Sequence, residues 1–393
     1  MGSVSIKPMT RDIKVLLTAG FAMFSMFFGS GNLVFPLLIG TQSLDAYPWA
    51  IVGLLVTAVL VPFLGLIGVV LYQGSRHAYF GGLGDRGAFF LTAIILSLLG
   101  PFGVVPRCIT VAYGGVELMA PEFPVWLFSM LFCLLMAALI WVRHKIVTLI
   151  GRVLTPWLML GVVLVIIAGL LEGEPADVAT LSSLQALSYG LLKGYHTMDL
   201  LAAFFFATTT VYYLKAYVSA EGGSTRKLLG MSLGASVIGA SLLALVYVGF
   251  VSLGARYASS LQEVPPNDYL VVIAGQAMGD LAIPVVAVTI GLACLTTGAI
   301  LSALFADFVY HDVSLRRIRR TWAILATLGI SFVFSLVGFT TISVWLGAIL
   351  EVMYPALIAL ALANIVQLRV QRNLGKPAFW GVFAVSLIAK LVL

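Results

Sequence analysis

The chain has 393 residues, of which 61% are hydrophobic and only 10% charged. This composition excludes a soluble globular protein and reads as a polytopic membrane protein, with no hydrophilic stretch long enough for a second domain. The net charge of +6 invites a nucleic-acid reading, but the placement of the basic residues assigns it to membrane topology instead.

The first apolar run, 13–40, is long enough to span a bilayer as a tilted helix. Lys7, Arg11 and Lys14 precede or open it. The run is too long for a signal peptide and no small-residue cleavage site follows, so it reads as a retained helix. Its middle, FFGSGNLVFP (27–36), carries two glycines, a serine, an asparagine and Pro36. Glycine is a weak helix former and proline lacks the amide that a helix needs. In hydrocarbon an unpaired amide costs several kcal/mol, so a break there lines a polar cavity or meets a ligand. Taken alone, the stretch reads equally as a kink packed on small neighbours.

Further apolar runs follow at 48–73, 87–116, 124–142, 146–171, 189–218, 227–254, 280–308, 321–338, 341–367 and 377–393, giving about eleven spans. With the N-terminus in the cytoplasm, 18 of the 22 basic residues fall in cytoplasmic segments. Acidic residues such as Asp45, Glu122, Glu172, Asp177, Glu263 and Asp268 fall outside. This positive-inside bias sets the orientation, and the basic corners suit anionic lipid headgroups. Trp49, Trp126, Trp141 and Trp157 lie near span ends as interfacial anchors. Pro101, Pro106, Pro156, Pro284 and Pro355 read as kinks. Cys108, Cys133 and Cys294 read as small buried hydrophobes without metal spacing.

The sixth run carries a polar knot, Gly194, Tyr195, His196, Thr197, Met198 and Asp199. It lies five spans after the first break. The order is therefore one broken helix plus four, then the same again with the opposite orientation. That is the inverted-repeat plan of many secondary transporters, repeat one over about 13–171 and repeat two over about 189–367, with an extra helix at about 377–393. The four helices after each broken helix are expected to rock around a midplane site, whose half-helix termini face anionic groups and cations. Three ionisable residues fall within spans, Arg107, Asp199 and Glu351. Such groups are costly and mark function, here gating or coupling, unless Arg107 simply pairs with one of the carboxylates. Thr296 and Thr297 offer adjacent hydroxyls, which serve either their own helix carbonyls or a hard cation such as Na⁺.

Other classes fare worse. An intramembrane hydrolase needs facing aspartates, a Ser/His pair or a histidine-rich metal set. Three of the four histidines (His77, His144 and His311, but not His196) fall in predicted loops, and Asp307 lies far along its span from Asp199. Nothing resembles a channel filter loop.

Five motifs, FFGSGNLVFP (27–36), GPFGVVPRCITVAYGGVE (100–117), KGYHTMDLLAAF (193–204), LACLTTGAILSALFADF (292–308) and MYPALIAL (353–360), together resemble the branched-chain amino acid:cation symporter family of bacteria. The family is similar to the sodium-coupled symporters of LeuT-type fold in the amino acid/polyamine/organocation superfamily. The resemblance implies an all-α membrane protein of the inner membrane with discontinuous helices 1 and 6. It implies uptake of L-leucine, L-isoleucine and L-valine, no enzymatic activity and no cofactor beyond Na⁺ or H⁺ as coupling ion. A related carrier or exchanger for another neutral amino acid is the alternative. Carried over by position, the amides of Gly29, Ser30 and Gly31 meet the substrate carboxylate and Asn32 reaches a bridging Na⁺. A second Na⁺ lies among the carbonyls of Ser25 and Phe28 and oxygens of Ala293, Thr296 and Thr297. Carbonyls of the knot and the Thr197 hydroxyl receive the substrate ammonium, and Phe204 and Phe205 shape the pocket. The chain departs from the family in ending at an eleventh span and in carrying Glu351 where an uncharged residue is expected. That charge shifts coupling towards protons or alters the substrate.

Overall fold

The computed structural model describes residues 7–141, 146–279, 282–370 and 372–392. Arg143, His144 and Lys145, which the topology reading counts at one basic corner, lie outside the described residues. Among the described residues the regular elements are all helical. Eight helical segments are long and apolar enough to cross a membrane, and Val125–Trp141 and Arg320–Ser335 are shorter apolar helices. Every apolar run of the sequence coincides with one helix or with a broken pair.

The first run is α1 (Lys7–Phe27) and α2 (Ser30–Ser43). The chain is unwound only at Phe28 and Gly29; Ser30, Gly31 and Asn32, read from the sequence as unwound, form the first turn of α2. The physical reason is local. The Asn32 side-chain oxygen accepts from the Gly29 amide at 3.3 Å, and the Leu33 amide closes on the Gly29 carbonyl at 3.1 Å, so the helix restarts at once. Pro36 sits one turn further, where its missing amide costs a single bond.

Next come α3 (Tyr47–Leu55) and α4 (Val61–Leu71), joined through a π turn at Val56–Leu60. After the short α5 (Arg76–Phe80), the third run is also broken, into α6 (Asp85–Leu99) and α7 (Val104–Glu117). Pro101 is therefore part of an interruption and not a kink within one helix. Gly103 is tight there, since a Cβ on it would lie 2.1 Å from the Leu98 carbonyl oxygen. The first half closes with α8 (Val125–Trp141), α9 (Ile146–Leu149) and α10 (Thr155–Glu172).

The second break separates α11 (Ser183–Gly194) from α12 (Asp199–Ala220). Tyr195–Thr197 make a 3₁₀ turn and Met198 is left-handed, at φ 62°. That conformation costs a non-glycine residue about 1–2 kcal/mol, and the completely buried Met198 side chain offsets it. The chain continues through α13 (Thr225–Arg256), α14 (Tyr269–Met278), α15 (Ile283–Phe308), α16 (Arg320–Ser335), α17 (Phe339–Val370) and α18 (Gly375–Val392).

The packing exchanges partners between the two halves. Both pieces of the first broken helix, α1 and α2, pack along α13, while α11 and α12 pack along α3 and α4. Glycines permit these approaches: a Cβ on Gly40 would lie 2.1 Å from the Val251 carbonyl, and one on Gly190 2.1 Å from that of Ala50. The second group is α7, α8, α15 and α16. By packing, the helices thus sort into a bundle containing both broken helices and a second group, each drawing on both halves of the chain. The two halves interlock because each broken helix buries its small-residue face on the other half.

Candidate functional site

The site is built where the two breaks touch. A Cβ on Gly31 would lie 3.1 Å from Thr197 Cα and 3.2 Å from the His196 carbonyl, so glycine lets the second break approach the first turn of α2 without pushing that backbone back. On the other side, a Cβ on Gly29 would lie 2.8 Å from the Thr297 side chain. The first break is therefore held between α15 and the second break. At the start of α2 the amides of Ser30, Gly31 and Asn32 precede the intrahelical ladder, and the positive end of the helix dipole points at the gap.

Two polar clusters flank this gap. In the first, the Asn32 amide group donates to both carboxylate oxygens of Asp199, each at 2.9 Å, and the Tyr247 hydroxyl donates to the same carboxylate at 2.6 Å. Asn32 also contacts the Tyr247 hydroxyl. All three side chains are buried. The neighbouring amide of Leu200 donates to the Tyr354 hydroxyl at 3.1 Å. A carboxylate buried among apolar helices is tolerated only with such donors, a cation or a proton.

In the second cluster, the Thr297 hydroxyl lies 3.2 Å from the Ser25 carbonyl and 3.0 Å from that of Met26. The Thr296 hydroxyl lies 3.2 Å from the Ser25 carbonyl, 3.0 Å from that of Ala293 and 3.1 Å from the Ser25 hydroxyl. The Met26 carbonyl adds to that of Ser25, and the Leu292 carbonyl also lies 3.0 Å from the Thr296 hydroxyl; beside them the Phe28 ring stacks on Phe24 at 5.1 Å. Hard neutral oxygens converging from two helices suit Na⁺ better than a soft metal.

Above the gap, Phe35 is packed between the Arg107 guanidinium, 5.7 Å from its ring centre, and the His196 ring at 4.9 Å. Arg107 is fully buried. Among the described residues it does not pair with a carboxylate: both Nη atoms donate to the His196 carbonyl at 3.3 Å, and one also approaches Met198 Sδ at 3.4 Å. Beyond this layer opens a vestibule of about 440 Å³ lined by Lys193, His196, Ser343, Glu351 and Lys390. At the opposite end of the bundle, where the basic corners lie, the chain is clamped. Lys227 pairs with Asp12 at 2.9 Å and Glu221 at 3.3 Å, Arg11 with Glu221 at 3.5 Å, and the Tyr217 hydroxyl donates to Asp12 at 2.7 Å. Buried polar clusters at two touching helix breaks, separated from a vestibule by an aromatic layer and latched by ion pairs at the other end, suit a carrier architecture.

Comparison with known proteins decides the assignment. Residues 12–392 match the family described as branched-chain amino acid transport protein. The chain belongs to that family. The branched-chain amino acid permease BrnQ of Corynebacterium glutamicum is 30% identical over 90% of this chain and 81% of its own length. The branched-chain amino acid transport system 3 carrier protein of Pseudomonas aeruginosa is 30% identical over 89% of this chain and 79% of its own. Among solved structures, an Eremococcus coleocola manganese transporter mutant superposes over the whole chain and 88% of its own, at TM-score 0.65 and 14% identity. The inward-facing conformation of Mhp1 superposes over 95% of this chain and 88% of its own, at TM-score 0.59 and 14% identity. These likenesses establish the LeuT-type fold, and membership of a transporter family makes the protein a multi-pass carrier and not an enzyme.

Against this family frame, the residues singled out from the sequence divide. Gly29, Ser30, Gly31, Asn32, Gly194, Thr197, Met198 and Asp199 meet at the two breaks, and Ser25, Ala293, Thr296 and Thr297 form the oxygen cluster. Two of the knot's acceptors are already engaged: the Thr197 hydroxyl donates to the Gly194 carbonyl at 2.8 Å and Arg107 occupies that of His196. Ser30 receives the Cys108 thiol at 3.6 Å. Tyr195 stacks on Tyr354 at 4.4 Å. Phe204 stands apart. It lies more than a turn into α12, fully buried against Tyr79 at 5.3 Å and Phe80 at 5.5 Å, with Phe205 also beside Phe80 at 6.5 Å. It is core packing and not pocket wall. Glu351 is half exposed in the vestibule and paired with Lys390, so it is not a lone charge in hydrocarbon. Tyr247 and Tyr217 were missed. A lone tyrosine in the apolar run LLALVYVGF was the available signal for Tyr247; nothing local marks Tyr217.

Proposed function

We propose that the protein imports branched-chain amino acids across the cytoplasmic membrane by Na⁺-coupled symport, with its N-terminus inside the cell. The observation that carries the coupling is the cluster of Ser25, Met26 and Ala293 carbonyls with the Thr296 and Thr297 hydroxyls, placed against the first helix break. A cation there stabilises the approach of α1 to α15, so ion binding and the closed arrangement of the bundle favour each other. The substrate carboxylate meets the amides at the start of α2. Its ammonium meets the carbonyls of the second break and the Asp199 carboxylate, and its branched side chain fills the apolar remainder of the gap. The relatives named as branched-chain amino acid permeases and carriers support the substrate class. The vestibule then faces outside and the Asp12–Lys227–Glu221 latch faces the cytoplasm, in keeping with the positive-inside bias.

Proton coupling is the second reading. Asp199 is the observation behind it, since a carboxylate buried among apolar helices calls for donors, a cation or a proton, and a proton can take the cation's place. The deciding experiment is uptake of radiolabelled leucine into proteoliposomes under a Na⁺ gradient or a pH gradient, each imposed alone. Accumulation with Na⁺ alone is expected. Accumulation with the pH gradient alone moves coupling to Asp199, and no uptake of leucine, isoleucine or valine under either gradient removes the substrate assignment.

A further inference from the structure

The helix outside the two repeats, α18, leaves a groove of about 690 Å³ between itself, α17 and α6. Its walls include Phe90 and Ile94 from α6, Val352 from α17, and Phe379, Trp380 and Leu387 from α18. Phe90 is 62% exposed and Trp380 48% exposed, so the groove opens sideways where α6 and α18 face the bilayer. Residues Phe379 to Leu387 cover roughly 12 Å of helix at 1.5 Å per residue, a stretch matched to part of an acyl chain. An apolar groove of this size does not hold ordered water, and leaving it empty forfeits dispersion contacts along every wall.

The groove does not end in hydrocarbon. At the basic end it meets a second hollow of about 570 Å³ lined by Asp85, Arg86, Phe89 and Phe90, so Phe90 belongs to both. The α17–α18 corner is pinned beside this hollow, because the Asn373 side chain donates to the Gly82 carbonyl at 2.8 Å. That corner carries Arg372 and Lys376, and the Asn373–Gly82 bond puts it at the same end of the fold as Arg86, all three being exposed. Arg86, Arg372 and Lys376 thus bring positive charge to this end of the apolar slot, against Asp85 in the hollow's own lining.

We propose that this groove is a binding site for one anionic phospholipid. An acyl chain lies between α6 and α18, and the phosphodiester is held by Arg86 and Lys376. Guanidinium and ammonium donors at headgroup depth recognise the phosphate, and their summed charge favours a headgroup without its own cation. Because the groove separates α6, which leads into the second group, from α17, which lines the vestibule, the lipid is a wedge between that group and the bundle's neighbour. Its occupancy then sets how far α17 can approach α6.

The test is native mass spectrometry of the full chain after equilibration with phosphatidylglycerol and phosphatidylcholine of identical acyl chains. The wild type is expected to retain phosphatidylglycerol preferentially. Arg86→Gln and Lys376→Gln should each lower the retained ratio roughly fivefold, from about 1 kcal/mol per basic residue at the headgroup surface. Lys390→Gln, at the far end of α18, should leave the ratio unchanged. Ala348→Trp, which fills the groove from α17, should reduce retention of both lipids. Equal retention of the two lipids by the wild type overturns the proposal, as does an unchanged ratio in Arg86→Gln and Lys376→Gln. A dimer free of retained lipid also overturns it, since a second copy would then occupy the groove. The ratio is read within each sample, so a partly unfolded variant does not mimic the expected result.

Discussion

Asn32 and Asp199 carry the most at the scale of single residues. Removing the Asn32 amide leaves the buried carboxylate with one donor residue fewer, at a cost of about 1–3 kcal/mol when the group remains charged. Asn32→Ala is therefore expected to cut leucine uptake at least about tenfold while the protein still inserts and purifies; uptake near wild type would detach the triad from transport. Asp199→Asn should impair uptake more than Glu351→Gln, because Asp199 is sealed in the gap while Glu351 is a half-exposed partner of Lys390, the kind of pair worth about 1 kcal/mol or less. The opposite order would shift the mechanism to α17. The double change Thr296→Ala with Thr297→Ala removes both hydroxyls from the oxygen cluster and should abolish the response to a Na⁺ gradient. Persistence of that response in the double variant would place the ion elsewhere.

Between elements, the decisive contacts are the breaks, the latch and one loop. Gly31→Ala sets a methyl carbon against the backbone of Thr197, which cannot retreat as a flexible side chain can, so transport should fall sharply with little loss of folded protein. Lys227→Gln removes the shared cation of the latch between α1 and the α12–α13 corner. It should raise the rate at which a cysteine placed at Met23 reacts with a thiol reagent supplied from the basic end, by roughly fivefold for ~1 kcal/mol of lost pairing. An unchanged rate would reduce the cluster to ordinary surface charge. Asp268, in the turn before α14, is pushed up to about 6 by burial and then by Glu117 of α7, against the opposing hydrogen bond from Asn267. Its folded value exceeds its unfolded one, so the docked turn binds an extra proton. Docking is then strongest below about pH 4 and weakens as the pH rises through about 6. Protection factors of residues 258–268, corrected for the intrinsic pH dependence of amide exchange, should be higher at pH 5 than at pH 8, and Asp268→Asn should keep them high at both; equal protection at both pH values in the wild type would mean that the turn does not sense this proton.

At the scale of the whole molecule, the function proposed is a differential motion between two packed groups. One contains both broken helices with α3, α4 and α13, and the other contains α7, α8, α15 and α16. The candidate ion cluster lies on the seam between them, as does the contact of Gly29 with Thr297. That placement lets a bound ion bias the relative position of the groups, and it explains why the gap can be sealed by the Phe35–His196–Arg107 layer on one side and by ion pairs on the other.

Much of this was legible without coordinates. Long apolar runs place helices because a bilayer leaves the backbone no other way to satisfy its amides. Glycine, proline and polar residues inside such runs locate the breaks for the same reason, and their spacing by five spans exposes the inverted repeat. The family motifs carry the substrate class. Other features required the tertiary structure. The first break ends at Gly29 and not at Asn32, because a single side-chain acceptor, Asn32, restarts α2 three residues earlier. Periodicity cannot distinguish a phenylalanine lining a gap from one packed behind it, so Phe204 was misplaced. Glu351 looked like a buried lone charge because its partner, Lys390, lies 39 residues away on another helix. The exchange of partners between the two halves was likewise invisible, since backbone-to-backbone approaches at Gly40 and Gly190 depend on which helices cross. Sequence fixes what each segment must do with its own hydrogen bonds and apolar surface; which segments share a seam is decided only when those surfaces are packed together.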